Sequence, residues 1–217
     1  MAADRDLRTA VENVILALQG LPGWQSRRIA VVGGVCVKHH VHPEPRETND
    51  LDLMIESPID TSEVKSALVA ASPHQFEMAA DVFLFKVGTR RIQVDIMSQL
   101  FIFPWNQHED TFDEHRFPPQ AISINMVQIN RLPFLSLQDM VAIKAYSCGT
   151  RMTIAKNVRD ANDCWELAMR LPQGVIWDIW HLETFANGIF YLSEYSKHHY
   201  RNVDAWAIVL QLPIVLS

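Results

Sequence analysis

Cysteine, long apolar runs and excess positive charge are all scarce in this 217-residue chain, and each scarcity excludes something. The three cysteines, Cys36, Cys148 and Cys164, are far apart and form no CxxC pair. An odd, dispersed set does not make a disulfide framework and fits a reducing compartment. No window approaches the roughly 18 uninterrupted apolar residues that a membrane-spanning helix needs. The N-terminal "MAADRDLRTAVENVILALQGLPGW" lacks the apolar core and small-residue cleavage site of a signal peptide. The closing "AWAIVLQLPIVLS" is short and broken by Pro213, and reads as a packed tail or an interface. The expectation is a cytoplasmic protein with no membrane partner. The 19 Lys and Arg against 25 Asp and Glu give a formal net charge of −6. That excludes a general nucleic-acid binder, though not a local basic pocket. Repeats and low-complexity segments are absent as well.

Apolar residues, at 48% of the chain, suffice for a substantial core in one compact domain or two small ones. Val11, Val14, Ile15 and Leu18 recur at helical spacing, and Gly20, Pro22 and Gly23 close that helix. "RIAVV" (28–32) reads as a buried strand stopped by Gly33-Gly34, followed by a turn or two of helix and a loop forced by Pro43 and Pro45. "DLDLMIE" (50–56) reads as a second strand, and "TSEVKSALVAAS" as a helix capped by Thr61 or Ser62. "DVFLFKVGTRRIQVDIM" is a hairpin around Gly88-Thr89. A long loop spans about Phe103 to Pro119, and "AISINMVQIN" reads as a further strand. Helical signals then take over, with Ser136 as an N-cap, Gly149 as a stop, and two more helices beyond. The expected fold class is α+β: a small mixed sheet with flanking helices over 1–130, then a helical domain over 131–217.

Asp50 and Asp52, two residues apart in a strand, project from one face while Leu51 and Leu53 fill the other. Converging carboxylates repel unless a cation joins them, and hard divalent ions prefer such oxygen donors. Asp95 in "IQVDIM" points outward between Val94 and Ile96; if that strand lies beside the one bearing Asp50 and Asp52, three carboxylates meet around one or two metals. A D-x-D pair alone marks a solvated face more often than a metal site. The order of features changes that reading. Gly33-Gly34 lets backbone approach a ligand and aims helix N–H groups at an anion, next to a divalent-metal cluster. That combination handles a nucleoside triphosphate.

"VVGGVCVKHHVHPEPRETNDLDLMI" resembles the signature of the DNA polymerase beta-like nucleotidyltransferase superfamily: apolar strand, Gly-Gly, spacer, Asp-x-Asp. The form R-x-T-x-D-L-D is most similar to the abortive-infection (AbiEii) toxin nucleotidyltransferases, which are antitoxin-paired. "LSLQDMVAIKAYSCG" resembles that family's lysine-bearing helix, and "NVRDANDCWEL" its R-D-x-x-D segment, at Arg159, Asp160 and Asp163. The resemblance implies that Asp50, Asp52 and Asp95 bind two Mg²⁺ ions, with Asp95 also accepting the acceptor's proton. It implies that Gly33 and Gly34 hold the triphosphate and that Lys144 neutralises its β- and γ-phosphates. Lys38, Arg46 and Asp160 join the nucleotide-binding set. The implied reaction moves an NMP from an NTP to a protein, RNA or small-molecule acceptor and releases pyrophosphate, and an antitoxin-like protein is an expected partner.

The chain departs from this pattern at Val35, where many superfamily members carry Ser or Thr. That departure motivates an alternative, a non-catalytic nucleotidyltransferase-like binding module. A weaker alternative is a metal-dependent phosphohydrolase using the same carboxylates. His39, His40 and His42 match no common zinc spacing and read as solvated loop residues. Without the resemblance, Lys144 reads as the exposed residue of a buried helix and Arg159–Asp160 as a surface pair. Trp105 reads as packing rather than base stacking, and "KHHYR" (197–201) as an exposed helix end.

Overall fold

The computed structural model describes residues 4–41, 47–56, 61–98, 117–196, 198 and 200–212. They fall into two compact units divided between Leu135 and Ser136.

The first unit is built on a six-stranded mixed sheet in the order β3-β4-β5-β2-β1-β6. Its elements are α1 (Asp4–Gly20), β1 (Arg28–Val32), α2 (Gly33–His40), β2 (Asp50–Ile55), α3 (Ser62–Ala71), β3 (Phe76–Ala79), β4 (Val82–Val87), β5 (Arg90–Ser98) and β6 (Ile122–Ser123). β1 runs antiparallel to β2, β4 and β5 form the expected hairpin across Gly88, and β2 runs parallel to β5. A parallel pair needs a long crossover, and α3, β3 and β4 supply it. The core gathers Val11, Val14, Ile15 and Leu18 of α1 with Leu51, Leu53, Ile55, Val94 and Ile96 of the central strands. Strand alternation therefore commits one face of β2 and β5 to apolar packing and leaves Asp50, Asp52 and Asp95 on the other.

Two local expectations need correction, and one strand, β3, was not foreseen. α3 has Thr61 at its N-cap position, but the Thr61 side chain makes no capping hydrogen bond. "AISINMVQIN" pairs only at Ile122–Ser123 and then turns through a 3₁₀ segment, Ile124–Met126. There the Gln19 side-chain amide donates to the carbonyls of Ile124 and Val127 at 2.9 and 3.0 Å, satisfying groups that a longer strand would have paired. Strand β3 shows no clean alternation in sequence; Phe76 anchors it by packing on Phe83 and Phe85.

The second unit packs α4 (Leu137–Ser147), α5 (Ile154–Ala168), α6 (Ile179–Tyr195) and α7 (Val203–Val209). Ser136 caps α4, its hydroxyl accepting from the Asp139 N–H at 3.0 Å. Gly188 lets α6 approach α4: a Cβ there would lie 3.1 Å from the Ala145 carbonyl oxygen. "KHHYR" is corrected at its last residue. Arg201 is buried, donates to Asn162 Oδ1 at 2.9 Å and lies over the Trp165 ring. Among the described residues, no helix is long and apolar enough to cross a membrane.

Leu53 is fully buried whereas Leu16 is half exposed. Leu53→Ala should cost about 3 kcal/mol, and Leu16→Ala under about 1 kcal/mol, in urea unfolding curves.

Candidate functional site

The β2–β5 register sets Asp52 directly opposite Asp95 and Asp50 opposite Gln93. Asp50, Asp52 and Asp95, all half-buried, each offer a carboxylate oxygen within 4.8 Å of the others. Three hard, anionic donors at this spacing suit a divalent cation, because such ions coordinate several oxygens at once and offset the mutual repulsion. The surroundings hold each carboxylate in place. The Thr48 hydroxyl donates to Asp50 Oδ1 at 2.6 Å, and the Gln93 amide donates to both oxygens of Asp95 at 3.1 Å. The Gly34 N–H donates to Asp52 Oδ2 at 3.4 Å.

Gly33 explains how α2 comes so close. Its φ is +62°, and a Cβ built there would sit 1.7 Å from Asp52 Oδ2. Because β1 pairs with β2 up to Val32 opposite Asp52, the chain leaving β1 must pass that side chain at Gly33. Only glycine combines the left-handed φ with no side chain. The N-terminus of α2, with no cap from the Val32 side chain, thus meets a carboxylate, in keeping with the preference of helix N-termini for negative charge.

Lys38 and His39 lie on the flank of α2 that, with Leu7 and Val11 of α1 and Phe134, lines a cleft of about 360 Å³. His39 and His40 belong to a helix rather than a loop. The His39 ring stacks on Phe134 at 4.0 Å, and His40 Nε2 lies 2.8 Å from the Leu135 carbonyl oxygen. Burial, then the neighbouring His40, lowers the His39 pKa. Arg46, His42 and Trp105 lie outside the described residues.

Lys144 and Asp160 belong to the second unit. Lys144 is buried rather than exposed, and its ammonium lies 2.6 Å from Asp160 Oδ1 and 3.0 Å from Asp163 Oδ2. Arg151, not Arg159, is the second cation: its Nε donates to Asp160 Oδ2 at 3.0 Å, while Arg159 is exposed. The surface-pair reading of Arg159 and Asp160 is therefore replaced by a buried cluster that joins α4 to α5. Burial pushes the Asp160 carboxyl up, but the charges and hydrogen bonds of Lys144 and Arg151 outweigh it and hold the pKa below its usual value. Desolvation likewise raises the Cys148 thiol to about 12 and Cys164 well above the ordinary range, so both are buried, inert thiols.

Thr48 and Gln93 had no assigned role in the sequence reading, though both signals were present. Thr48 is the threonine of R-x-T-x-D-L-D, and Gln93 lies two residues before Asp95 on the same strand face. A further polar set, part-buried Ser136 with buried Asp139 and His181, had no signal beyond the N-cap. There Ser136 donates to Asp139 Oδ2 at 2.6 Å, and His181 Nε2 lies 3.2 Å from Asp139 Oδ1.

No protein-family model matches the sequence, and no curated protein sequence matches it. Among solved structures, the chain is similar to an antigenic nucleotidyltransferase-like protein from Paracoccidioides brasiliensis, with a TM-score of 0.61 at 15% identity, covering 98% of this chain and 95% of that one. Weaker likeness extends to ANT(2")-Ia in complex with adenylyl-2"-tobramycin, with a TM-score of 0.45 at 12% identity, covering 87% and 98% of the two chains. The first of these likenesses shows that the protein has the mixed α/β fold of a nucleotidyltransferase-like protein.

Gly33→Ala should displace Asp52 or α2, weakening Mn²⁺ binding by at least about 10-fold in calorimetric titration. A neighbouring Val35→Ala control should bind as the wild type does. For the buried cluster the sign follows from the depressed Asp160 pKa. Its stabilisation is full above the unfolded carboxyl pKa of about 3.9 and is lost as pH falls through the lower folded value. Asp160→Asn should cost about 3 kcal/mol at pH 7 by leaving buried Lys144 under-compensated. In urea melts repeated at pH 3, the gap between variant and wild type should shrink.

Proposed function

We propose that the protein is a metal-dependent nucleotidyltransferase that moves a nucleoside monophosphate from an NTP to an acceptor hydroxyl. The observation that carries this is the gathering of Asp50, Asp52 and Asp95 against the Gly33-Gly34 start of α2. The fold likeness to a nucleotidyltransferase-like protein supports it.

In this reading the three aspartates hold the divalent ions, Mg²⁺ in the cell, and ions bound there stabilise the attacking and leaving oxygens of an in-line displacement. Gly33 and Gly34 admit the triphosphate close to the backbone at the α2 N-terminus. Asp95 accepts the proton from the acceptor hydroxyl as its oxygen bonds to the α-phosphorus. The bond from the α-phosphorus to the bridging oxygen breaks, and pyrophosphate departs with that oxygen. Lys38 and Arg46 remain the basic residues assigned to phosphates. Lys144 and Asp160 act in our reading through the buried cluster, by fixing α4 against α5. The R-x-T-x-D-L-D form favours the AbiEii-like branch, a cytoplasmic setting and an antitoxin-like protein partner, with protein, RNA end or small molecule as acceptor.

A non-catalytic binding module has one observation in its favour. Val35, in place of a hydroxyl residue, packs against the apolar core and supplies no donor to a phosphate.

Incubation with each of the four α-³²P-NTPs and Mg²⁺ or Mn²⁺ separates these readings. Transfer predicts a labelled product or released pyrophosphate, reduced on the order of 100-fold or more in Asp50→Ala/Asp52→Ala. Metal-dependent NTP binding without turnover, with any of the acceptor classes supplied, would favour the binding module. Orthophosphate as the sole product would favour a hydrolase, and absence of NTP binding would sink the proposal.

A further inference from the structure

A site made of three mutually repelling carboxylates faces a problem before any cation arrives: each side chain lowers its energy by rotating away from the others. Two side chains to which the proposed chemistry gives no role oppose that rotation. We infer that Thr48 and Gln93 are positioning residues that preorganise the metal-binding carboxylates without neutralising them. The inference rests on the nucleotidyltransferase reading above.

Thr48 lies two residues ahead of Asp50, just before β2 begins, and is only 5% exposed. A buried hydroxyl needs a partner, and here it donates to Asp50 Oδ1 at 2.6 Å. A donor to an ionised carboxylate at that distance makes a short, charge-assisted bond, roughly twice as strong as a neutral pair. It ties down one oxygen and the plane of the carboxylate with it. Gln93 reaches the third carboxylate by a different route. It stands in register with Asp50 across the parallel strands and shares a strand face with Asp95. Its single amide group donates to both Asp95 oxygens at 3.1 Å, which resists rotation of that carboxylate.

The chemistry of these donors indicates what they serve. A lysine or arginine in either place would orient a carboxylate equally well, but would also offset its charge and compete with an incoming cation. A hydroxyl and a primary amide orient and leave the charge in place. Packing does not explain the hydroxyl, because valine has nearly the same shape as threonine and would fill the same buried space without a polar group to satisfy. Groups that hydrogen-bond to metal ligands typically change metal affinity by 10- to 100-fold when removed.

The test is Mn²⁺ titration of the full-length protein by calorimetry and electron paramagnetic resonance, with metal-free thermal melts to confirm folding. Thr48→Val should weaken Mn²⁺ binding by about 10-fold or more and alter the spectrum of the bound ion, and Thr48→Ser should restore both. Gln93→Met should weaken binding too, through the other carboxylate. In turnover, Thr48→Val should raise the metal concentration for half-maximal rate by a similar factor, while kcat at saturating metal changes far less. If the wild-type protein binds no Mn²⁺, the nucleotidyltransferase reading and this inference fall together. Wild-type binding that neither Thr48→Val nor Gln93→Met weakens would overturn this inference alone. So would a Thr48→Val defect that serine does not rescue, since the loss would then lie in packing rather than in the hydroxyl.

Discussion

Everything at the candidate site depends on the parallel pairing of β2 with β5. Strand alternation is strict, so the register that sets Asp52 opposite Asp95 also sends Leu51, Leu53, Val94 and Ile96 into the core. A slip of β2 by one residue would turn Leu51 and Leu53 out of the core and Asp50 and Asp52 into it. Each apolar side chain contributes about 1.5–3 kcal/mol when fully buried. That burial opposes the repulsion between half-buried carboxylates, which solvent and their hydrogen-bond donors soften. The apolar face therefore holds the acidic face in register.

A second constraint follows from the antiparallel β1–β2 pair. Val32 sits opposite Asp52, so the chain must turn into α2 beside that carboxylate. The close contact at Gly33 couples the position of α2 to the rotamer of Asp52, because neither can move far without meeting the other. Gly-Gly serves both the backbone geometry of the turn and the spacing of the site, and neither demand alone requires glycine so strongly.

Much of this was legible in the sequence because it depends on short-range periodicity. The facing of Asp50 and Asp52 follows from a spacing of two, the hairpin from Gly88, and α4 from Ser136 with its acid one turn in. The pairing partner of β2 was expressed only as a condition in the sequence, since strand order in a sheet is set by long-range contacts. The helical half was harder for a related reason. Whether Lys144 is exposed or buried depends on how α4 is rotated against α5, and nothing local fixes that. Arg201 illustrates the same point: it follows a polar run that reads as solvated, yet its guanidinium is covered by Trp165 from a helix some 40 residues away in the chain. Thr48 was visible as a motif letter, but its role emerges only from its burial and its 2.6 Å bond.

Two acidic clusters among the described residues receive opposite electrostatic treatment, and the contrast bears on what each is for. Asp160 and Asp163 share the Lys144 ammonium, and Asp160 gains Arg151 as well. Their charge is compensated within the protein, in a buried setting where uncompensated charge is most costly. Such a cluster fixes one arrangement of α4 and α5 and has little charge left to offer a ligand. At Asp50 and Asp95 the donors are a hydroxyl and an amide, which order the carboxylates and leave their formal charge intact. Half-burial makes that charge felt, since the effective dielectric there is below that of water, yet keeps it reachable. The hydroxyl of Thr48 and the amide of Gln93 thus orient two of the carboxylates without adding a positive charge to them, which suits a site for a divalent cation.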